Sequence, residues 1–148
     1  MRVWLDDPLV QLNNPLGGTL RGREAIAGLY ARIFAGPVKP WVQFEDIIAM
    51  TPGPRTTVFT GRERGAYGNL DLDIRTTRYF EYMPSAGGWR QVHHHGSIDN
   101  PELLRQYRDA VTAADPQLTT GMEPAIPASA PRAISGLPWR SPGRRARR

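Results

Sequence analysis

The sequence contains no cysteine. Disulfides and thiolate metal sites are therefore excluded, and the chain suits a reducing compartment, so a cytoplasmic location is expected. No stretch approaches the roughly 20 consecutive apolar residues of a membrane span. Residues 1–20 lack a basic start followed by an apolar run, so no signal peptide is expected. No internal repeat is present. An excess of charge on the body of the chain is missing too. Residues 1–115 hold 13 Lys and Arg against 13 Asp and Glu, so the net +5 belongs to residues 116–148, with six arginines and only Glu123. A nucleic-acid-binding domain carries its basic surplus on the folded surface, so nucleic acid is not an expected partner apart from that basic tail.

What is present suits one domain: 148 residues, of which 40% are hydrophobic. "LVQL" (9–12) reads as a short strand and "NNPLGG" (13–18) as a turn. In "GREAIAGLYARIFAGP" (22–37), Ile26, Leu29, Tyr30, Ile33 and Phe34 recur on one helical face, and Gly36 with Pro37 ends the helix. Strands follow at 41–50 (with Val42, Phe44 and Ile48 on one side), 55–65, 70–83 and 88–98. The third alternates most cleanly. Leu70, Leu72, Ile74, Thr76, Arg78, Phe80 and Tyr82 share one face; Asp71, Asp73, Arg75, Thr77, Tyr79 and Glu81 share the other. "DNPELLRQYRDAV" (99–111) reads as a short helix with Asn100 as N-cap and Pro101 at the first helical position. Residues 116–148 carry six of the fourteen prolines and no apolar periodicity, and read as a disordered tail after a domain spanning 1–115. The fold class is α+β: a strongly bent antiparallel sheet packed on helix 22–35. So few helices leave an apolar sheet face to be covered by a second copy or by further helices, and a homodimer through the sheet is expected.

The candidate site starts from Arg78. Its guanidinium stands among apolar neighbours, where an unpaired charge is costly. It calls for an internal carboxylate, for which Asp46 has the right parity between Phe44 and Ile48, or for an anionic ligand. In "WRQVHHHGSID" (89–99), alternation puts Trp89, Gln91, His93 and His95 on one face and Arg90, Val92 and His94 on the other. If Trp89 packs with Phe80 across the "MPSAGG" turn, His93 and His95 lie on the side of Arg78. For these two histidines three readings stay open. They are metal ligands lacking the third partner that zinc requires, acid–base groups, or structural residues bonded across the sheet or a dimer face. No metal or other cofactor is expected. "GRERG" (61–65) lies between strands with no helix after it, so its glycines mark bulges rather than a phosphate loop. Asn13, Asn14 and Trp89 are further candidates to contact a ligand beside Arg78.

"DDPLVQLNNPLGGTLRGREAIAGLY" and "TTRYFEY…GGWRQVHHHGS" resemble the first strand, turn and third helix, and the last hairpin, of the nuclear transport factor 2-like superfamily. That cystatin-like α+β cone includes ketosteroid isomerases, SnoaL-like polyketide cyclases and the association domain of calcium/calmodulin-dependent kinase II. The resemblance covers roughly residues 3–112. Thr77-Arg78 and Trp89-x-Gln91-Val92-His93-x-His95-x-Ser97 are similar to the ending of the kinase association domain. The resemblance implies a pocket for a small hydrophobic or anionic ligand, with Arg78 as an anion anchor. It implies either isomerase, cyclase or dehydratase chemistry or a non-catalytic assembly module, since the fold hosts both. It also implies two helices before the first strand, whereas Met1 stands almost on that strand. The catalytic aspartate of ketosteroid isomerases matches Asn14, and an amide is no general base, so their mechanism is not expected.

Overall fold

A computed structural model describes residues 2–120. Strand β1 (Gln11–Asn13) enters a turn in which Asn14 Oδ1 accepts a hydrogen bond from the Leu16 N–H at 2.9 Å, and the Gly17 N–H donates to the Asn14 carbonyl. That side-chain mimic of a backbone turn is what Asn before Pro favours. The chain returns as β2 (Thr19–Arg21), antiparallel to β1, a strand too short and polar to be foreseen. Gly22, at φ +82°, makes the left-handed step into α1 (Arg23–Ala35). The expected stripe on α1 is only half buried: Ile26 and Leu29 are sealed, whereas Phe34 remains 57% exposed.

Strands β3 (Trp41–Gly53), β4 (Thr56–Tyr67), β5 (Leu70–Met83) and β6 (Gly88–Ser97) form an antiparallel meander. Two-residue loops close its first two hairpins, Pro54-Arg55 and Gly68-Asn69, the latter with Gly68 at φ +61°. β1 joins β6 in parallel, which gives a six-stranded sheet in the order β2-β1-β6-β5-β4-β3. Residues 3–5 run beside β6, with the Leu5 N–H donating to the Gln91 carbonyl and the Gln91 N–H to that of Val3. The expected α+β cone with a bent sheet is present, and α1 packs on it with α2 (Pro101–Ala114). Asn100 caps α2 as expected, its Oδ1 accepting from the Glu102 and Leu103 N–H groups.

The core gathers at one end of the cone, where Val10, Leu12, Ile26, Leu29, Leu72, Ile74 and Val111 meet. The boundary expected at residue 115 falls short of this structure. A last turn, α3 (Gln117–Thr120), follows, and its Leu118 is buried in the same core. The rest of the expected tail, residues 121–148, lies outside the described residues.

Bulges bend the sheet and move side chains between its faces. On β3, Glu45 pairs with Arg62 but Ile48 pairs with Thr60, so residues 46 and 47 together stand opposite Gly61, one residue in excess. A Cβ on Gly61 would lie 2.5 Å from the Glu45 carbonyl oxygen, which fits the expected role of this glycine at a bulge. The bulge also corrects the face expected for Ile48. Val42 and Phe44 stay on the inner face, while Ile48 crosses to the outer one with Thr60.

Two glycines give opposite expectations. A Cβ on Gly65 would strike the Trp41 carbonyl, whereas one on Gly28 in α1 meets nothing within 4 Å. Gly65→Ala should therefore destabilise the chain by about 2 kcal/mol or more through displaced β3 backbone, and Gly28→Ala should stabilise it by up to ~1 kcal/mol through helix propensity. Urea denaturation of both variants checks the signs.

Candidate functional site

Three strands bring a cluster onto the inner face. Arg78 on β5 is register partner to Phe59 on β4 and to His94 on β6, and Glu63 on β4 shares their face. Arg78 Nη2 donates to Glu63 Oε1 at 2.5 Å, and His94 Nε2 lies 3.2 Å from the same oxygen. The second contact is close enough for an ion pair but lacks the alignment of a hydrogen bond, so Nε2 has no hydrogen-bond partner among the described residues. The guanidinium also stands over the Phe44 ring, 4.9 Å from its centroid, a cation–π contact. Glu63 is only 6% exposed. Burial pushes its carboxyl up, yet His94 and Arg78 together outweigh that and hold it below the usual carboxylate range.

The expected residues divide. Arg78 is where parity put it, with its side chain 29% exposed. Its internal partner is Glu63 and not Asp46. Asp46 sits in the β3 bulge at φ +51° and turns outward to Arg64 Nη2 at 2.7 Å, which removes it from the cavity. The placement of His93 and His95 beside Arg78 is corrected as well. Tyr79 pairs with His93 but Phe80 pairs with Gln91, so Val92 is an extra residue. That single insertion inverts the alternation after Gln91: His94 and Gly96 face inward, His93 and His95 outward. Burial lowers the affinity of the His93 imidazole for its proton, and the neighbouring His95 and His94 add to this. Trp89 does not pack on Phe80 as its partner. It pairs with Tyr82, ring centroids 5.5 Å apart, at the far end of the sheet and 43% exposed. Asn14 borders the cavity, but its Oδ1 is committed to the turn. Its neighbour Asn13 has a buried Oδ1 with no hydrogen-bond partner among the described residues.

Pattern reading missed Glu63 because the flanking arginines of "GRERG" suggest a wet segment. Its parity with Phe59 was the available signal. Tyr30, counted as helix stripe, also borders the cluster. Burial and Glu63 raise its hydroxyl pKa against the opposing effect of Arg78. Tyr107 is pushed up to about 12 by burial, Tyr67 and Glu63, so both phenols keep their protons at neutral pH.

The cluster forms one wall of a cavity of about 220 Å³ beneath α1, whose apolar walls include Leu29, Ile33, Leu72 and Ile74. A wider opening of about 410 Å³, between Trp4, Tyr30, Phe34 and Gln91, leads to Arg78 and His94 from outside. Among the described residues no cluster of His, Cys, Asp or Glu is arranged to hold a metal ion.

A bent sheet folded around an apolar hollow, with a few polar side chains converging inside, is the fold of the nuclear transport factor 2-like class. Within that class the chain belongs to the SnoaL-like domain family, whose model matches residues 1–101. Among solved structures it is similar to a Thiobacillus denitrificans protein provisionally assigned as a calcium/calmodulin-dependent protein kinase type II association domain. That match has a TM-score of 0.57 at 25% identity and covers 66% of this chain and 78% of the other. It is also similar to a Streptomyces avermitilis protein provisionally assigned as a dehydratase of the NTF2-like family. Here the TM-score is 0.53 at 22% identity, over 62% of this chain and 68% of the other. A third likeness, to a Parabacteroides distasonis protein provisionally assigned as a ketosteroid isomerase, has a TM-score of 0.54 at 17% identity and covers 66% and 73% of the two chains. No curated protein matches the chain. No helix among the described residues is long and apolar enough to cross a membrane.

Removing the Glu63 charge should cost about 3 kcal/mol at neutral pH, because Arg78 is left without its buried partner. Because the folded protein holds the Glu63 carboxyl below its ordinary value of 4.5, the unfolded chain binds the extra proton on acidification. Stability is therefore lost as pH falls from about that value through the folded one. Urea unfolding across a pH series should show a shallower acid loss in Glu63→Gln than in the native chain.

Proposed function

We propose that the protein is a SnoaL-like pocket protein that binds a small hydrophobic ketone or acid and moves a proton on it. The observation that carries this reading is the buried Glu63–His94 pair beside Arg78, opening onto an apolar cavity. Imidazole is the side chain whose ordinary titration lies near neutral pH. An ionised carboxylate at its Nε2 orients the ring and stabilises the imidazolium formed when it takes a proton. Arg78, with a buried Nε that lacks a partner, offers a donor to a carboxylate or to oxygen charge developing on an enolising ketone. The acid–base role thus moves from His93 and His95 to His94. Nuclear transport factor 2-like relatives provisionally assigned as a dehydratase and a ketosteroid isomerase support this class of chemistry.

Turnover on a panel of aromatic polyketide and steroid ketones tests the reading. His94→Gln should lower kcat by at least ~100-fold, the scale of a lost general acid–base group, whereas His95→Ala should leave it unchanged. Equal rates in native and His94→Gln protein would remove the proton-transfer role.

A second reading, self-association through the outer sheet face, is favoured by exposed Ile48 (70%) and Met50 (58%). They share that face with Val58, Tyr79 and the outward His93 and His95. The likeness to a protein provisionally assigned as a kinase association domain supports it. Light scattering should give at least a dimer for the native chain and a monomer for Ile48→Glu/Met50→Glu. A folded native monomer would rule this reading out. A cytoplasmic location is part of the proposal, supported by the lack of cysteine.

A further inference from the structure

The inner face of the sheet continues past the polar cluster. Phe59 is the register partner of Arg78, and Phe80 follows Arg78 on the same face. Their rings meet edge to face with centroids 5.8 Å apart. Beyond them come Tyr82 and Trp89, paired across the β5–β6 hairpin and 40% and 43% exposed. With Thr51, Pro54 and Thr57, three of these aromatics (Phe59, Phe80 and Trp89) border an open apolar groove of about 440 Å³. Neither α1 nor α2 contributes a residue to the lining of this shelf among the described residues. From Arg78 to Tyr82 is four residues, about 13 Å along the strand.

We infer that the ligand of the site is an amphiphile, a monocarboxylate whose head meets Arg78 and whose extended apolar tail lies along Phe59, Phe80 and Trp89. This rests on the pocket reading above and adds the substrate's shape to it. The head is placed by charge and by donors. Glu63 takes the Nη2 edge of the guanidinium, while the buried Nε has no partner, and the buried Nε2 of His94 lacks an aligned one. Because Glu63 already shares the charge of Arg78 and faces His94 Nε2, the head group gains mainly from the unpartnered Arg78 Nε, to which a carboxylate is a stronger acceptor than an alcohol. The tail is placed by continuity: the aromatic shelf starts at the residue beside the anchor and runs away from it.

Calorimetry and tryptophan fluorescence on the full chain test this with dodecanoate, dodecan-1-ol and butanoate, each below its micellar concentration. Dodecanoate should bind on the order of a hundredfold more tightly than butanoate, as burial of several methylenes requires. It should exceed dodecan-1-ol by about tenfold, the scale of a charge-assisted hydrogen bond. Trp89→Ala, at an exposed position, should fold normally and compress the chain-length ratio while leaving butanoate binding in place. Dodecanoate and butanoate binding with equal affinity would overturn the shelf and leave the pocket reading standing. Equal affinity for dodecanoate and dodecan-1-ol would overturn the anchor and weaken the pocket reading with it. Binding of dodecanoate only as a dimer dissociates on dilution would assign the shelf to a second copy and overturn the proposal. No binding by any of the three would overturn this proposal and leave the pocket reading to the ketone panel.

Discussion

A guanidinium held inside a sheet must be answered by an anion, and the interior of this cone is arranged around that requirement. Arg78 projects from β5 into apolar surroundings, and Glu63 reaches it from the adjacent strand at 2.5 Å. Neither charge is tolerable there alone. Glu63 is nearly sealed, so it needs the cation to remain ionised, and once ionised it draws the His94 imidazole to 3.2 Å. The Phe44 ring closes the other side of the guanidinium. A structural ion pair thereby creates the polar spot of an otherwise oily cavity, so that fold stability and the proposed ligand chemistry draw on the same atoms.

The bulges decide which side chains join that spot. A strand without an insertion would keep Gln91, His93 and His95 on one face. Val92 breaks the count, and His94 takes the inward place. The β3 bulge acts in the same way on the other side of the sheet. It carries Asp46 out to Arg64 and turns Ile48 onto the convex surface. Each insertion bends the sheet into a cone and at the same time re-aims chemistry-bearing residues, because in a strand curvature and facing are coupled through the two-residue period.

The cone is covered unequally. Helices α1, α2 and α3 seal one end around Ile26, Leu72, Ile74 and Leu118, whereas the other end presents Phe80, Tyr82 and Trp89. Phe34, at the last turn of α1, stays exposed where the cavity opens. Arg78 borders both the closed cavity and its outer opening, and its register partner Phe59 begins the aromatic shelf.

Much of this was legible in the residues alone. The alternation of 70–83 placed Arg78 on the inner face, Gly36-Pro37 ended α1, Asn100 capped α2, and Gly61 marked the bend. These features are set by local chemistry: side-chain period, backbone freedom and capping hydrogen bonds. The similarity of "GGWRQVHHHGS" to a known hairpin extended that to the whole cone. The partner of Arg78, the inward histidine, the position of Trp89 and the burial of Leu118 were decided by tertiary structure. Each depends on pairing between segments far apart in the chain, and one extra residue in a strand reverses every face that follows it. The sequence by itself thus determined that a charge is buried here; only the assembled sheet determined which groups meet it.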